Sequence, residues 1–575
     1  MILGRGLSRA PFAPDRPGTV SAGIFRGKGT RGAMTNWVDT FTVPDLLARA
    51  AARAPQDDAL VFPGARATFA ELDAAAAEAA RALAALGVHR GHHVGLLLPN
   101  SRRYVDLMLG AALLGAWVVP INSRYKAREL AHVIVDADLR VLVTTDEVDD
   151  FVDFADLVTE ALPGLAAAGD PRALSLPSAP ELRAVVLLGT KTPPGTIGDA
   201  EFTAGAAAVA PALIAIARAQ VRLRDVAIMM YTSGTTAMPK GCPLSHEALV
   251  RTAIEAGRTR FELTATDRMW DPLPMFHMSF VLPFVACLDA GAALLAMERF
   301  APGPALAYLE REKATVNFAS FPTITQALLT HPDYDPAKMH FRLVNNVAPP
   351  DVLRSMQAAM PFATQISAYG LTEAGGVVAF GCAADSAEQR ATTSGRPFRG
   401  IEVVAKDPGT GALLPPGERG ELCIRGYCLF EGYYKDPEKN AEAIDADGFL
   451  HTGDLGTVDA EGYVAYQGRV KDMLKVGGEN VAAVEIESYL ATHPAVLIAQ
   501  VVSAPDAKYG EVAAAFVQLR PGTAATEAEL VEFCQGRIAS FKVPRYMRFV
   551  DEWPMSATKI QKYRLRDQIA DELAG

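Results

Sequence analysis

The sequence predicts an α/β protein, with a large region of mostly parallel sheet flanked by helices and a small C-terminal domain of mixed helix and strand. Three observations predict this. Short apolar strands alternate with helical segments through the first half, the pattern of a parallel sheet covered on both faces. The 575 residues are too many for one compact core. From Val484 the pattern changes to a tighter alternation, enough for a viable domain of roughly 100 residues.

The elements follow in order. Apolar spacing predicts a helix over Val43 to Arg53. Thr68 and Glu71 form a capping box, the threonine serving a backbone N–H while the glutamate reaches back. It opens a helix with Leu72, Ala76, Ala79, Leu83 and Leu86 on one stripe, closed by Gly87. Val94 to Leu98 is a short strand. Leu107 to Ile121 reads as a buried helix running into a strand. Its embedded Pro120 and short length argue against a bilayer span. Ala127 to Asp136 and Val141 to Thr144 repeat the theme. His89, His92 and His93 are expected in a solvated loop rather than a metal site.

Val226 to Tyr231 is a buried strand, and Ser245 caps a helix starting at His246. Further on, Asp459 to Gly462 is a turn between Leu455–Val458 and Tyr463–Tyr466, and Gly468 to Asp472 breaks the pattern. The last domain is expected to have a helix from Val484 to His493, strands at Val496–Val502 and Ala513–Leu519, and a helix from Glu527 to Ala539.

Composition narrows the class. Half the residues are hydrophobic and 21% are charged, with a formal net charge of -11. That balance excludes a general nucleic-acid coat and a polybasic membrane binder. Residues 1–33 carry six Lys/Arg against Asp15 alone, leaving -16 on the remainder. Three readings of this leader stand open: an early start assignment with Met34 as the true start, a disordered basic tail, or an organelle transit peptide. The six cysteines are scattered without a CxxC pair, which predicts free thiols and a cytoplasmic location.

Thr232, Ser233, Gly234, Thr235, Thr236, Ala237, Met238, Pro239, Lys240 and Gly241 lie between that strand and helix. Hydroxyls, glycines and a lysine there suit a polyphosphate. Glycine admits close backbone approach, N–H and hydroxyl groups donate to phosphate oxygens, and Lys240 adds positive charge. The spacing is not that of a Walker A loop.

This string resembles the phosphate-loop signature of the adenylate-forming (ANL) superfamily. Further motifs follow in the family's order: Pro274 to His277, Tyr369 to Glu373, Gly420 to Leu422 with Arg425-Gly426, His451 to Asp454, Gly468 to Asp472, Gly477 to Asn480, and Lys559-Ile560. The resemblance spans about residue 38 to 570. It implies a large N-terminal domain with a small β-barrel and a mobile C-terminal domain. The expected limits are a leader at 1–33, an AMP-binding domain at 34–468, a hinge at 469–472 and a mobile domain at 473–575.

The resemblance also implies the chemistry. A carboxylate attacks the α-phosphorus of ATP to give an acyl-adenylate and pyrophosphate, and a thiol, usually that of CoA, then takes the acyl group. Thr232, Ser233, Gly234, Thr235, Thr236 and Lys240 would hold the β- and γ-phosphates. Thr372 would contact the α-phosphate, and Glu373 with Thr235 would hold Mg²⁺. Val347, Ala348 and Pro349 would face one side of adenine. Ala368, Tyr369, Gly370 and Leu371 would face the other. Asp454 would accept the ribose hydroxyls, with Arg469 beside it. Lys471 matches the hinge, and Gly477, Gly478 and Glu479 would face the site when thiol attacks. Lys559 would bridge the carboxylate and the α-phosphate, and His277 would wall or gate the acyl pocket.

His277 stands where peptide-synthetase domains carry an aspartate for an amino group, which favours a non-amino acid. Only sixteen residues follow Lys559, so no appended carrier domain is expected. Phe276, Phe280, Val281, Ala368, Gly375, Gly376 and Val377 would line an apolar pocket, with the glycines leaving room. The expected function is an AMP-forming acid–CoA ligase for a hydrophobic acid, with ATP, Mg²⁺ and CoA as cofactors. Alternatives are a carrier-protein acyl ligase and a non-catalytic adenylate-binding protein. The expected partners are small molecules, without nucleic acid or stable membrane insertion, and a homodimer is an open option.

Overall fold

The computed structural model describes residues 41–574, except 150–151, 233–237, 477–478, 507 and 556–559. The leader therefore lies outside the described residues. Among those described, the large region is built on two seven-stranded sheets. The first runs in space through Thr364–Ile366, Leu343–Asn346, Val316–Ser320, Arg268–Asp271, Ala293–Ala296, Asp58–Val61 and Arg66–Thr68. All its pairings are parallel except the last. The second runs through Lys240–Ser245, Val226–Thr232, Trp117–Pro120, His93–Leu96, Leu139–Thr145, Ala184–Leu188 and Ile197–Gly198. It is parallel except for its first pair.

Burial explains why the strands read as nearly continuous apolar runs. Helices Val43–Arg53, Phe69–Ala85, Arg102–Leu113, His246–Thr259 and Met278–Ala290 share one core with a face of each sheet. Helices Ala127–Asp136 and Phe154–Ala161 cover the far face of the second sheet. Helices Pro302–Glu312, Pro322–Leu329 and Pro350–Ala359 cover the far face of the first. The central strands are thus packed on both sides. Local signals set the helix ends: Thr68 and Glu71 form the expected capping box, and Ser245 accepts the Ala248 N–H at 3.2 Å.

His93 corrects the solvated-loop reading. It starts a strand, is buried, stacks on Trp117 at 4.3 Å and bonds the Ala137 carbonyl through Nδ1.

Past the second half of the first sheet, Ile401–Lys406, Gly420–Gly426, Leu450–Val458 and Val464–Arg469 form a four-stranded antiparallel sheet. The expected hairpin turn at Asp459–Gly462 joins its last two strands. A three-stranded sheet, Ala368–Tyr369, Ala379–Phe380 and Arg396–Pro397, lies alongside. Ser394 N–H donates to Val464 O and Val464 N–H donates to Gly395 O, which joins the two layers.

The C-terminal part has its own core. Strands Met473–Val476, Glu479–Ala482, Val496–Asp506, Gly510–Leu519 and Tyr546–Phe549 pack against helices Ala483–Leu490, Glu527–Cys534 and Lys562–Ala574. Two expected helices are shorter than read. The first stops at Leu490. The second stops at Cys534, because Gln535 turns extended and Gly536 takes a left-handed φ of 68°.

Candidate active site

The phosphate-loop motif joins two strands, not a strand and a helix directly. Thr232 ends one strand, Lys240 opens the next, and the two residues are register partners. Ser233, Gly234, Thr235 and Thr236 lie outside the described residues. Lys240 Nζ is 2.7 Å from Asp436 Oδ2 and 5.6 Å from the centre of the Tyr433 ring. The ammonium holds the Asp436 carboxyl below its usual range.

The Tyr369–Glu373 motif turns sharply beside this hairpin. Ala368 and Tyr369 are strand residues, and Thr372 to Ala374 make one 3₁₀ turn. Gly370 allows the turn to fold back: a Cβ there would collide with the Gly376 carbonyl oxygen and lie 2.5 Å from Val377 Cα. Gly375 and Gly376 adopt left-handed φ values of 71° and 96°. These two glycines were expected to leave room in the acyl pocket. Their left-handed backbone favours glycine, and a Cβ on Gly376 would lie 3.1 Å from Met278 Cβ, a residue of the cleft described below. Glu373 Oε1 accepts the Tyr433 hydroxyl at 3.0 Å, and its carbonyl accepts the Phe430 N–H at 2.8 Å. Burial and the neighbouring Glu373 carboxylate raise the Tyr433 pKa.

Asp454 and Arg469 are opposite one another on adjacent antiparallel strands. Asp454 is 3% exposed, with Oδ1 2.8 Å from Arg469 Nε and Oδ2 accepting the Tyr369 hydroxyl at 3.0 Å. Burial lowers the Arg469 pKa, but Asp454 and neighbouring acids outweigh it and the net shift is upward. Burial, reinforced by Asp454, keeps Tyr369 protonated. Glu421 steadies the motif from behind, accepting the Gly453 N–H and contacting His451 Nδ1, both at 2.8 Å. Cys423 joins that cluster, but burial pushes its thiol up to about 12, so it acts as a packed thiol. The Tyr369 ring stacks against Tyr466 at 6.0 Å, while Val347 of the other expected adenine wall is 46% exposed.

A small cleft beside the 3₁₀ turn is lined by Met230, Tyr231, Phe276, His277, Met278 and Thr372. It brings the expected α-phosphate contact Thr372 to the acyl wall at His277. Phe280 belongs to the core: it is fully buried and stacks on Phe284 at 5.5 Å. Lys471 follows Arg469 in a 3₁₀ turn. Glu479 opens a strand paired with Met473–Val476. Gly477, Gly478 and Lys559 lie outside the described residues.

Residues 47–434 match the AMP-binding enzyme family, and residues 485–559 match the AMP-binding enzyme C-terminal domain. The chain belongs to this family of AMP-forming ligases. A propanoyl:CoA ligase of Mycobacterium tuberculosis, named for a methyl-dioxo-octahydroindenyl side chain, is 36% identical over 92% of this chain and 99% of its own length. The medium-chain acyl-CoA ligase ACSF2 of Rattus norvegicus is 32% identical over 92% of this chain and 88% of its own. Among solved structures, the anthranilate CoA ligase AuaEII in complex with anthranoyl-AMP has a TM-score of 0.81 and 29% identity, covering 93% of this chain and 98% of that one. ATP-bound MatB from Rhodopseudomonas palustris has a TM-score of 0.78 and 28% identity, covering 92% and 100%.

Two groups of this candidate site went unread in the sequence. Tyr433 and Asp436 approach Glu373 and Lys240 from a segment outside every quoted motif. Asp436-Pro437-Glu438 carried a usable signal, an N-cap followed by proline at the first helical position. Asp436 does cap the helix Pro437–Ala443 by accepting the Lys439 N–H at 3.0 Å. Among the described residues no single helix is long and apolar enough to cross a membrane.

Proposed function

We propose that this enzyme joins a hydrophobic carboxylic acid to CoA through an acyl-adenylate, consuming ATP with Mg²⁺ and releasing pyrophosphate and AMP. The observation that carries the reading is a run of contacts among charged groups. The Tyr433 ring and hydroxyl link Lys240 to Glu373, Thr372 beside Glu373 lines a cleft with His277, and Tyr369 of the same motif bonds Asp454, which pairs with Arg469. That run matches a nucleotide laid with its triphosphate on the hairpin and its ribose on Asp454.

The first half-reaction brings two anions together, so charge neutralisation and positioning dominate. Thr232 and Lys240, with Ser233, Gly234, Thr235 and Thr236, take the β- and γ-phosphates. Thr372 takes an α-phosphate oxygen. Asp454 accepts the ribose hydroxyls while Arg469 balances its charge. Tyr369, Gly370 and Leu371 with Ala368 flank adenine on one side, and Val347, Ala348 and Pro349 flank it on the other. Lys559 places an ammonium where charge builds on the reacting oxygens, an effect worth about 2.7 to 4 kcal/mol in comparable sites.

The Glu373 carboxylate suits Mg²⁺. It offers hard oxygen, it is held by Tyr433 through Oε1 alone among the described bonds, and Mg²⁺ takes few protein ligands beside phosphates and water. Thr235 is the second protein candidate. Bound there, the metal neutralises phosphate charge. Lys471 acts as the hinge, Gly477, Gly478 and Glu479 admit the pantetheine thiol, and His277 gates the acyl cleft. The limits 34–468, 469–472 and 473–575 describe the moving parts, and the cytoplasm is the proposed location.

The hydrophobic side of the cleft and the relatives above favour medium-chain or alicyclic acids. The test is a panel of such acids with ATP, Mg²⁺ and CoA, reading AMP and acyl-CoA by mass spectrometry. Acid-dependent AMP and acyl-CoA in equal amounts support the reading; AMP formation independent of every acid sinks it.

A further inference from the structure

Tyr433 reaches both charged groups proposed to meet the phosphates and their metal, Glu373 and Lys240. Its hydroxyl donates to Glu373 Oε1 at 3.0 Å, and its ring centre lies 5.6 Å from Lys240 Nζ. The residue is itself firmly held. Its N–H donates to Asn440 Oδ1 at 2.6 Å, and Asn440 Nδ2 donates back to its carbonyl at 3.0 Å. Gly432 before it has a φ of 96°, and a Cβ there would lie 2.9 Å from Asn440 Nδ2. The Phe430 ring meets the Tyr433 ring edge-on at 4.8 Å, while the Phe430 N–H holds the Glu373 carbonyl. The segment 430–436 therefore grips Glu373 by backbone and side chain.

We infer that Tyr433 is a positioning residue for metal-bound ATP, orienting the Glu373 carboxylate with its hydroxyl and steadying Lys240 with its ring face. The inference rests on reading Glu373 as the magnesium carboxylate. A charge-assisted bond to one oxygen fixes the carboxylate's rotation and leaves the other oxygen for a cation. A cation over an aromatic face is attracted without competing for its hydrogen-bond donors. Tyr433 thus organises the carboxylate and the ammonium without adding charge of its own.

Equilibrium binding separates the two contributions. Calorimetry would measure the Kd of ATP with Mg²⁺ and with a chelator, for the unmodified chain, Y433F, Y433L and E373Q. Loss of the hydroxyl in Y433F should weaken Mg²⁺-ATP by about 3- to 10-fold, leaving metal-free ATP unchanged. Y433L should weaken both, because the ring is gone as well. A Y433F chain that binds Mg²⁺-ATP normally while E373Q does not would overturn the role of Tyr433 alone. If E373Q binds normally too, the metal assignment falls and the inference falls with it. Equal weakening of Y433F with and without metal would mark a structural role and overturn the inference as well.

Discussion

The Lys240 ammonium is 2.7 Å from the Asp436 carboxylate, so the lysine proposed to meet the phosphates has an anionic partner within the protein. Both side chains are partly exposed, and such pairs are worth about 0.2 to 1 kcal/mol. ATP must displace or share that partner. Asp436→Asn should therefore lower the KM for ATP by about 2- to 5-fold. The amide still accepts the Lys439 N–H, so the helix cap and the melting temperature should hold. Steady-state kinetics at several salt concentrations checks this, and a raised KM would contradict it.

Asp454 links the Arg469 guanidinium to the Tyr369 hydroxyl. Asp454→Ala leaves the half-buried Arg469 guanidinium without its anion and removes the proposed ribose acceptor. Stability should fall by about 1 to 3 kcal/mol, and ATP binding should weaken at least tenfold. Asp454→Asn should recover part of the stability and little of the binding. Denaturant melts paired with nucleotide titration separate the two losses.

Gly370→Ala should be worse than its size suggests. The new methyl would strike the Gly376 carbonyl and Val377 Cα, both backbone atoms that cannot rotate away. The turn carrying Thr372 and Glu373 would have to shift, costing about 1 to 3 kcal/mol and most of the adenylation rate. Pyrophosphate release assays with thermal melts would show both effects.

His246 sets a pH limit on stability. Burial lowers its pKa to about 4, against a smaller opposing pull from Asp225 and Asp45. Its Nδ1 accepts the Val43 N–H at 3.3 Å. The unfolded chain takes up a proton near pH 6.5 while the folded chain does not. Stability is therefore complete above about pH 6.5 and is lost as pH falls toward 4, by about 3 kcal/mol. His246→Asn keeps an acceptor and does not titrate, so its urea midpoint should fall less over that window. Parallel curves would contradict the assignment.

The sequence was most legible where local chemistry and burial agree. Thr68 and Glu71 read as a capping box because both partners lie within one turn, and Ala127–Asp136 read as a helix from its place in the helix-then-strand alternation. It was least legible where distant chain decides. The strand Lys240–Ser245 exists because it pairs with Val226–Thr232, and nothing in its Gly-Cys-Pro string announces that. His93 looked like a loop residue because Trp117, which it stacks on, is far along the chain. The motif residues Lys240, Glu373, Asp454 and Arg469 could be singled out in order, since each stands in a short recognisable string. Tyr433 and Asp436 could not, because their importance comes from what they touch.

The central claim is that the acid's own oxygen attacks the α-phosphorus. Supplying an accepted acid with both carboxylate oxygens as ¹⁸O, with ATP, Mg²⁺ and CoA, tests it directly by mass spectrometry of the products. An acyl-adenylate route predicts one ¹⁸O in AMP, one in the acyl-CoA carbonyl and none in pyrophosphate. Unlabelled AMP, or label in inorganic phosphate with ADP as the nucleotide product, would contradict it.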